Sequence, residues 1–200
     1  MSKHCLTLSM ESVDSTNEWV RNNIARLEKN TAVVTSRQTA GRGQGDHTWH
    51  SESGKNLLMT ILLKENSLPA DEGFAVSAIT ALSMVELLDT YGIDAGIKLP
   101  NDIYVGGCKI CGLLIEHSIR GKKIMWSMAG VGLNVNQSDF PSWIPNPTSM
   151  SIMTSRTYDL DEILDRLLGI FFRRADCYMK NGDLDSLRSE FDSKCISFVK

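Results

Sequence analysis

The chain has 200 residues, 42% hydrophobic and 22% charged, which fits one globular domain and excludes wholesale disorder or a fibre. Twenty-one Lys and Arg against 24 Asp and Glu leave a formal net charge of −3, which argues against bulk electrostatic attraction to nucleic acid or anionic membrane. No apolar run approaches the ~18 residues of a membrane span, and five scattered cysteines do not read as a disulfide framework.

The opening stretch MSKHCLTLSMESVDS lacks the apolar core of a signal peptide, so a cytoplasmic protein is expected. Residues 5–11 predict a short strand. Ser15-Thr16-Asn17-Glu18 has the S-x-x-E form of a capping box. Trp19, Val20, Ile24 and Leu27 follow at helical spacing and predict a helix to about Lys29. Thr31 to Ser36 is β-branched and short, the composition of a strand. Residues 39–54 hold four glycines, with Ala40 and Trp49 the only apolar side chains; no core face can be built from them, and a loop this long inside a domain is functional or disordered.

Asn56 to Leu63 reads as a buried strand. Asp71 to about Tyr91 predicts a helix with Phe74, Ala78, Ala81, Leu82, Val85 and Leu88 on one side. Ile97 to Leu99 is extended ahead of Pro100, and Ile103 to Val105 is a short strand turned by Gly106-Gly107. Residues 108–119 and 122–131 predict a hairpin around Arg120-Gly121. Residues 138–148 carry three of the five prolines and form a loop. Asp159, with Glu162 three residues on, caps a helix whose apolar face runs from Leu160 through Leu167 and Phe171 to Ala175, and a last short helix covers about 183–192. Helices and strands mix without strict alternation, so the expected class is α+β with a mixed or largely antiparallel sheet.

Taken singly, the polar motifs stay ambiguous. Gly41-Arg42-Gly43-Gln44-Gly45 is either an anion cradle, with backbone N–H groups and a guanidinium for phosphate oxygens, or a flexible connection. It is not G-x-G-x-x-G, because Asp46 stands at the last glycine position. Ser53-Gly54-Lys55-Asn56 fails as a P-loop at Trp49 and Asn56. Cys108-Lys109-Ile110-Cys111 has no second ligand pair for zinc, and residues three apart in a strand face opposite ways. Strand alternation places Lys109 on the face of Cys111, Leu113 and Ile115, where its ammonium either meets an anion or snorkels to solvent. Lys98-Leu99-Pro100-Asn101-Asp102 reads as a turn, Gly130 to Asn136 as a strand end with an Asx turn, and Ser15-Thr16-Asn17 as an N-cap. His4, His47, His50 and His117 show no metal or catalytic spacing.

The ordered set is more specific than any member. S-T-N before a helix, S-R-Q-T-A-G-R-G-Q at 36–44, Trp49, K-L-P-N-D-I-Y at 98–104, K-I-C-G-L-L-I-E at 109–116 and G-V-G-L-N-V-N at 130–136 strongly resemble the catalytic domain of biotin protein ligases, from about residue 5 to about 180. The resemblance implies the family's fold, a mixed, mainly antiparallel sheet flanked by helices and similar to class II synthetases. It implies a two-step, AMP-forming reaction. Biotin and Mg·ATP give biotinyl-5′-AMP and pyrophosphate, and a lysine of a biotin carboxyl carrier domain then takes the biotinyl group. Two anions must meet, so positive charge is needed between them. By this likeness Lys109 and Arg42 are catalytic, with Asp102 taking or orienting the proton of the incoming lysine. Ser15, Thr16, Asn17 and Gln38 match biotin contacts, with Arg42, Gln44, Lys109 and backbone at Gly41, Gly43 and Gly112. Arg42, Trp49, Asn101, Lys109 and Asn134 match the ATP side, and no resident metal is implied beyond the Mg2+ that accompanies ATP.

An acyl-adenylate hydrolyses in water, so the likeness also implies that loop 41–54 acts as a lid. Many relatives carry a further Arg or Lys where Gln44 and Gly45 stand here. Relatives usually continue into an SH3-like domain, so 183–200 is expected to lead toward one, with 1–200 as a single catalytic domain. Nothing ahead of residue 5 resembles the winged-helix domain of bifunctional members, and no operator binding is expected. Homodimerisation through a sheet edge occurs in that family. Two alternatives stand beside this expectation. A lipoate–protein ligase of the same fold is distinguished by thermal stabilisation with biotin but not lipoate. A non-catalytic biotin or adenylate sensor is distinguished by the absence of biotin-dependent ATP–pyrophosphate exchange.

Overall fold

The computed structural model describes residues 5–64 and 68–197; His4 and the end of the 183–200 segment lie outside them. Seven strands form one sheet: β1 (Leu6–Val13), β2 (Thr31–Gln38), β3 (Leu57–Lys64), β4 (Gly96–Lys98), β5 (Asp102–Val105), β6 (Cys108–Arg120) and β7 (Lys123–Leu133). Their spatial order is β1-β2-β3-β7-β6-β5-β4, parallel between β1 and β2 and antiparallel at every other pairing. The expected α+β class with a mixed, mainly antiparallel sheet is the observed one.

The helices are α1 (Thr16–Asn23), α2 (Phe74–Asp89), α3 (Met150–Thr154), α4 (Leu160–Asn181) and α5 (Leu184–Ser193). On one side of the sheet, α2, α4 and α5 close the main core, in which Leu82, Leu88, Leu168 and Phe171 meet Ile61, Ile103 and Val131. This makes α2 buried almost all round, wider than the one-sided stripe its spacing predicts, because α4 and α5 cover its far side. On the other side α1 packs a smaller cluster of Val20, Leu27, Val33, Leu62 and Met128. The rest of that second face is left open, and the glycines of β6 and β7 lie on it. At the outer edge the Ile97 N–H donates to the Lys194 carbonyl (2.8 Å) and the Ile196 N–H to the Ile97 carbonyl (2.9 Å). Residues 184–196 therefore pack on this domain. Among the described residues no helix is long and apolar enough to cross a membrane.

Three local departures from the sequence expectation bear on function. The first is α1, which ends at Asn23 and passes into a 3-10 turn at Ile24–Arg26 instead of running to Lys29. Its capping box does not form: Ser15 makes no side-chain cap bond, the Thr16 N–H is taken by Gln38 Oε1 at 2.8 Å, and the Glu18 carboxylate is held by Arg21 and Arg42. The second is α3, capped by Ser149 Oγ accepting from the Ile152 N–H at 3.2 Å, which no apolar periodicity announced.

The third departure is in β6. Cys111 pairs with Ile103 but Lys109 with Tyr104, so Ile110 is a surplus residue, a β-bulge. Ile110 and Cys111 are consecutive and both fully buried in the main core. Alternation resumes on the far side of the bulge, so Lys109 shares the open face with Gly112, not the face of Cys111, Leu113 and Ile115 predicted for it.

Candidate active site

The open face carries a cavity of about 540 Å³, within the usual range for a small-molecule site. Its floor is strand backbone. A Cβ at Gly130 would lie 2.4 Å from Asn17 Oδ1, at Gly132 2.6 Å from Trp49 Cε2, and at Gly112 2.8 Å from Trp49 Cζ3. These glycines are therefore close-approach positions: only hydrogen lets an amide and an indole rest on the sheet.

At one end the first turn of α1 meets β2 and β3. Asn17 donates from Nδ2 to Glu116 Oε2 (2.7 Å) and to the Leu114 carbonyl (3.3 Å), which fixes its amide. Its Oδ1 then lies 2.5 Å from the Thr60 hydroxyl, itself 2.8 Å from Thr16 Oγ1. Gln38 Oε1 accepts from both Thr16 N–H and Thr16 Oγ1 (3.2 Å). Ser15, Thr16 and Asn17 are each 3% exposed. This end is neutral, rigid and rich in hydrogen-bonding groups, the surroundings a polar uncharged ring needs.

The other end is cationic. Residues 41–49, read from sequence as loop, fold back on themselves as a small hairpin. The Trp49 N–H donates to Gly41 O (2.9 Å), the Gly43 N–H donates to His47 O (2.7 Å), and Arg42 bridges Thr48. Beyond it, buried Asn56 donates to Gln137 Oε1 (2.6 Å) and Ser51 Oγ (2.9 Å), pinning the second half of the loop. Arg42, Gly43, Gln44 and Trp49 line the cavity; Gly41 does not, and sits against the Trp49 carbonyl. Lys109 projects from the bulge into the same cavity, its Nζ 2.6 Å from Asp102 Oδ1 and 5.5 Å from the Trp49 ring centre. That carboxylate oxygen is buried and has a charge neighbour but no directed hydrogen bond.

Asn101 and Asn134 also line the cavity, each tethered through Nδ2: Asn101 to Leu113 O (2.7 Å) and Asn134 to Thr148 O (2.9 Å). Asn134 Oδ1 and Trp49 Nε1 are buried without a hydrogen-bond partner in the protein, one acceptor and one donor left unsatisfied. Thus Ser15, Thr16, Asn17 and Gln38 meet Arg42, Lys109, Asp102 and Asn134 around one space. Sequence reasoning had not marked Thr60, Glu116 or the cavity's apolar rim of Phe140, Trp143 and Ile144. Trp143 is 65% exposed and meets His50 edge-on at 5.4 Å, so the 138–148 loop touches the 39–54 loop across the mouth. The C-x-x-C pair brings no chemistry here: burial pushes the Cys111 thiol far up, keeping it protonated, and the described cysteines are all free. No group of three or more His, Cys, Asp or Glu side chains gathers as a metal site among the described residues.

Comparison with known proteins shows the family and the fold. The model of the biotin/lipoate A/B protein ligase family matches residues 9–134. The bifunctional ligase/repressor BirA of Bacillus subtilis is 31% identical over 86% of this chain and 54% of its own length. The biotin–[acetyl-CoA-carboxylase] ligase of Paracoccus denitrificans is 29% identical over 80% of this chain and 69% of that protein. The biotin protein ligase of Aquifex aeolicus, solved with biotin and ATP, superimposes with a TM-score of 0.79 at 26% identity, covering 96% of this chain and 78% of that one. The chain spans about half the length of the first Bacillus relatives it matches. The family match over well more than half the chain, on the strands that carry the cavity, places this protein in the biotin/lipoate A/B protein ligase family.

Proposed function

We propose that residues 1–200 are a single catalytic domain of an ATP-dependent biotin–protein ligase, acting in the cytoplasm on a biotin carboxyl carrier domain. In the first step a biotin carboxylate oxygen attacks the α-phosphorus of Mg·ATP. The bond to the leaving pyrophosphate breaks, and biotinyl-5′-AMP remains. In the second, the neutral ε-amine of the acceptor lysine attacks the acyl carbon, the C–O bond to AMP breaks, and the amine gives up a proton. The Mg2+ arrives as the counter-ion of ATP, the usual mode for this ion.

The division of the cavity supports this reading. The neutral end, built on Ser15, Thr16, Asn17 and Gln38, suits the ureido ring, which offers N–H donors and a carbonyl but no charge. Lys109 and Arg42 supply the positive charge that lets carboxylate and phosphate approach, and they stabilise the charge that accumulates as the phosphorus is attacked. Trp49 Nε1 and Asn134 Oδ1, both unpartnered, suit the donor and acceptor edges of a nucleotide. Asp102, beside Lys109 and with an oxygen free of directed hydrogen bonds, is placed to take the proton of the incoming amine.

The single observation that carries the proposal is the Lys109 ammonium entering, by way of the β6 bulge, a cavity whose other end is neutral. The test is labelling of a biotin carboxyl carrier domain by wild type and Lys109→Ala, with biotin-dependent ATP–pyrophosphate exchange read in parallel. Lys109 is 31% exposed, so the variant is expected to fold and to lose adenylate formation by a factor on the order of 10² or more. Exchange at the wild-type rate in the variant, or no exchange in the wild type, refutes the assignment.

A further inference from the structure

The cationic end of the cavity is not free. Arg42 donates from Nη1 to Glu18 Oε1, and the same oxygen accepts from Arg21 Nη1 at 2.5 Å. Arg21 reaches on through Nη2 to Glu116 Oε1, and Glu116 Oε2 holds Asn17 Nδ2 at 2.7 Å. One chain of charge-assisted bonds therefore runs from the 41–49 hairpin to the amide at the neutral end. Arg42 lines the cavity and Glu18 does not. Carboxylate and guanidinium are 35% and 39% exposed, so neither is locked by burial.

Resting on the ligase reading, we propose that Glu18 is a positioning residue, the resident counter-ion of Arg42, and that an anionic ligand binds Arg42 by exchange with it. Without ligand, Glu18 keeps the guanidinium paired at the cavity wall. When a ligand carboxylate or phosphate arrives, Arg42 turns to it. Glu18 keeps its contact with Arg21, so the exchange leaves no carboxylate unpaired. Arg21 keeps Glu116, so the Asn17 amide at the far end stays fixed during the exchange. A neutral ligand has nothing to offer Arg42 and leaves the Glu18 pair in place. Glu18 thus lowers the affinity for the anionic ligand and is silent toward a neutral one of the same shape.

The test is calorimetric titration of wild type, Glu18→Gln and Glu18→Asp with biotin and with biotinamide, whose carboxamide carries no charge. Glu18→Gln is expected to bind biotin about two- to five-fold more tightly, the effect of releasing one partly exposed ion pair, with biotinamide unchanged. Glu18→Asp is expected to bind biotin as wild type does. An equal shift for both ligands, or weaker binding of biotin, overturns the inference. Arg42→Gln supplies a second variant: on that background Glu18→Gln has to be without effect on either ligand, and any remaining effect also overturns it. If the wild type binds neither ligand, the ligase reading falls and takes the inference with it; binding of both without the charge-dependent difference sinks the inference alone.

Discussion

Substituting Gly130 by alanine tests the idea that the cavity floor is made by missing side chains. The new methyl would start 2.4 Å from Asn17 Oδ1 and 3.1 Å from Asn17 Cγ and Nδ2, against a practical limit of 3.0 Å. The amide must retreat by about 0.6 Å or more, and sheet backbone on the other side cannot yield in its place. Two short bonds then stretch, to the Thr60 hydroxyl (2.5 Å) and the Glu116 carboxylate (2.7 Å), around a residue that is 3% exposed. Weakening one neutral and one charged hydrogen bond costs about 2–4 kcal/mol. Alanine recovers about 0.4–1 kcal/mol by restricting the unfolded chain. The net loss is about 1–3.5 kcal/mol, which in a domain of this size lowers Tm by roughly 2–14 °C. Thermal melting followed by circular dichroism reads the stability, and biotin titration the site, where affinity is expected to fall at least ten-fold. A variant that melts within 1 °C of wild type and binds biotin equally well refutes the claim that Gly130 is kept free of a side chain by Asn17.

Two further outcomes follow from residues outside the cavity. Gly169, inside α4, has open space where a Cβ would stand, so Gly169→Ala is expected to stabilise by about 1 kcal/mol and raise Tm by roughly 2–4 °C in the same melting assay. His117 is half-buried, its Nδ1 2.8 Å from Ser127 Oγ, and burial lowers its pKa below the ordinary value of 6.5. Below that value the unfolded chain binds the proton more readily than the folded one. Stability contributed by the neutral ring is therefore full above about pH 6.5 and declines as pH falls through the folded pKa. Urea unfolding between pH 7.5 and 5 is expected to show a shallower decline in His117→Gln than in wild type, and identical slopes refute the assignment.

Most of the scaffold is legible in the sequence because it rests on local rules. Turn residues such as Arg120-Gly121 and Gly106-Gly107 fall where the strands reverse, and Asp159 caps α4 as its spacing from Glu162 foretells. What escapes is set by partners distant in sequence. The capping box at Ser15 to Glu18 fails because Arg42, brought in by another element, holds the Glu18 carboxylate together with Arg21 and keeps it from reaching back to Ser15. Period-two alternation misplaces Lys109 because the surplus residue in β6 shows only in its pairing with β5. Gly130 and Gly132 read as a packed strand end, which is true, but what they pack against, Asn17 and Trp49, cannot be seen from the run itself. All the candidate site residues but Gly41 share one cavity because the ordered motifs lie at strand ends and first turns that the sheet order gathers.

The bulge at Ile110 means that the Lys109 ammonium owes its direction to the irregular pairing of β5 with β6. Without the bulge, the same residues paired in strict alternation back from Gly112 would turn the position-109 side chain toward the helices, into a space filled by hydrocarbon. The irregular pairing between Tyr104 and Gly112 thus decides which side of the sheet the lysine serves, and the surplus residue is a structural element of the cavity in its own right.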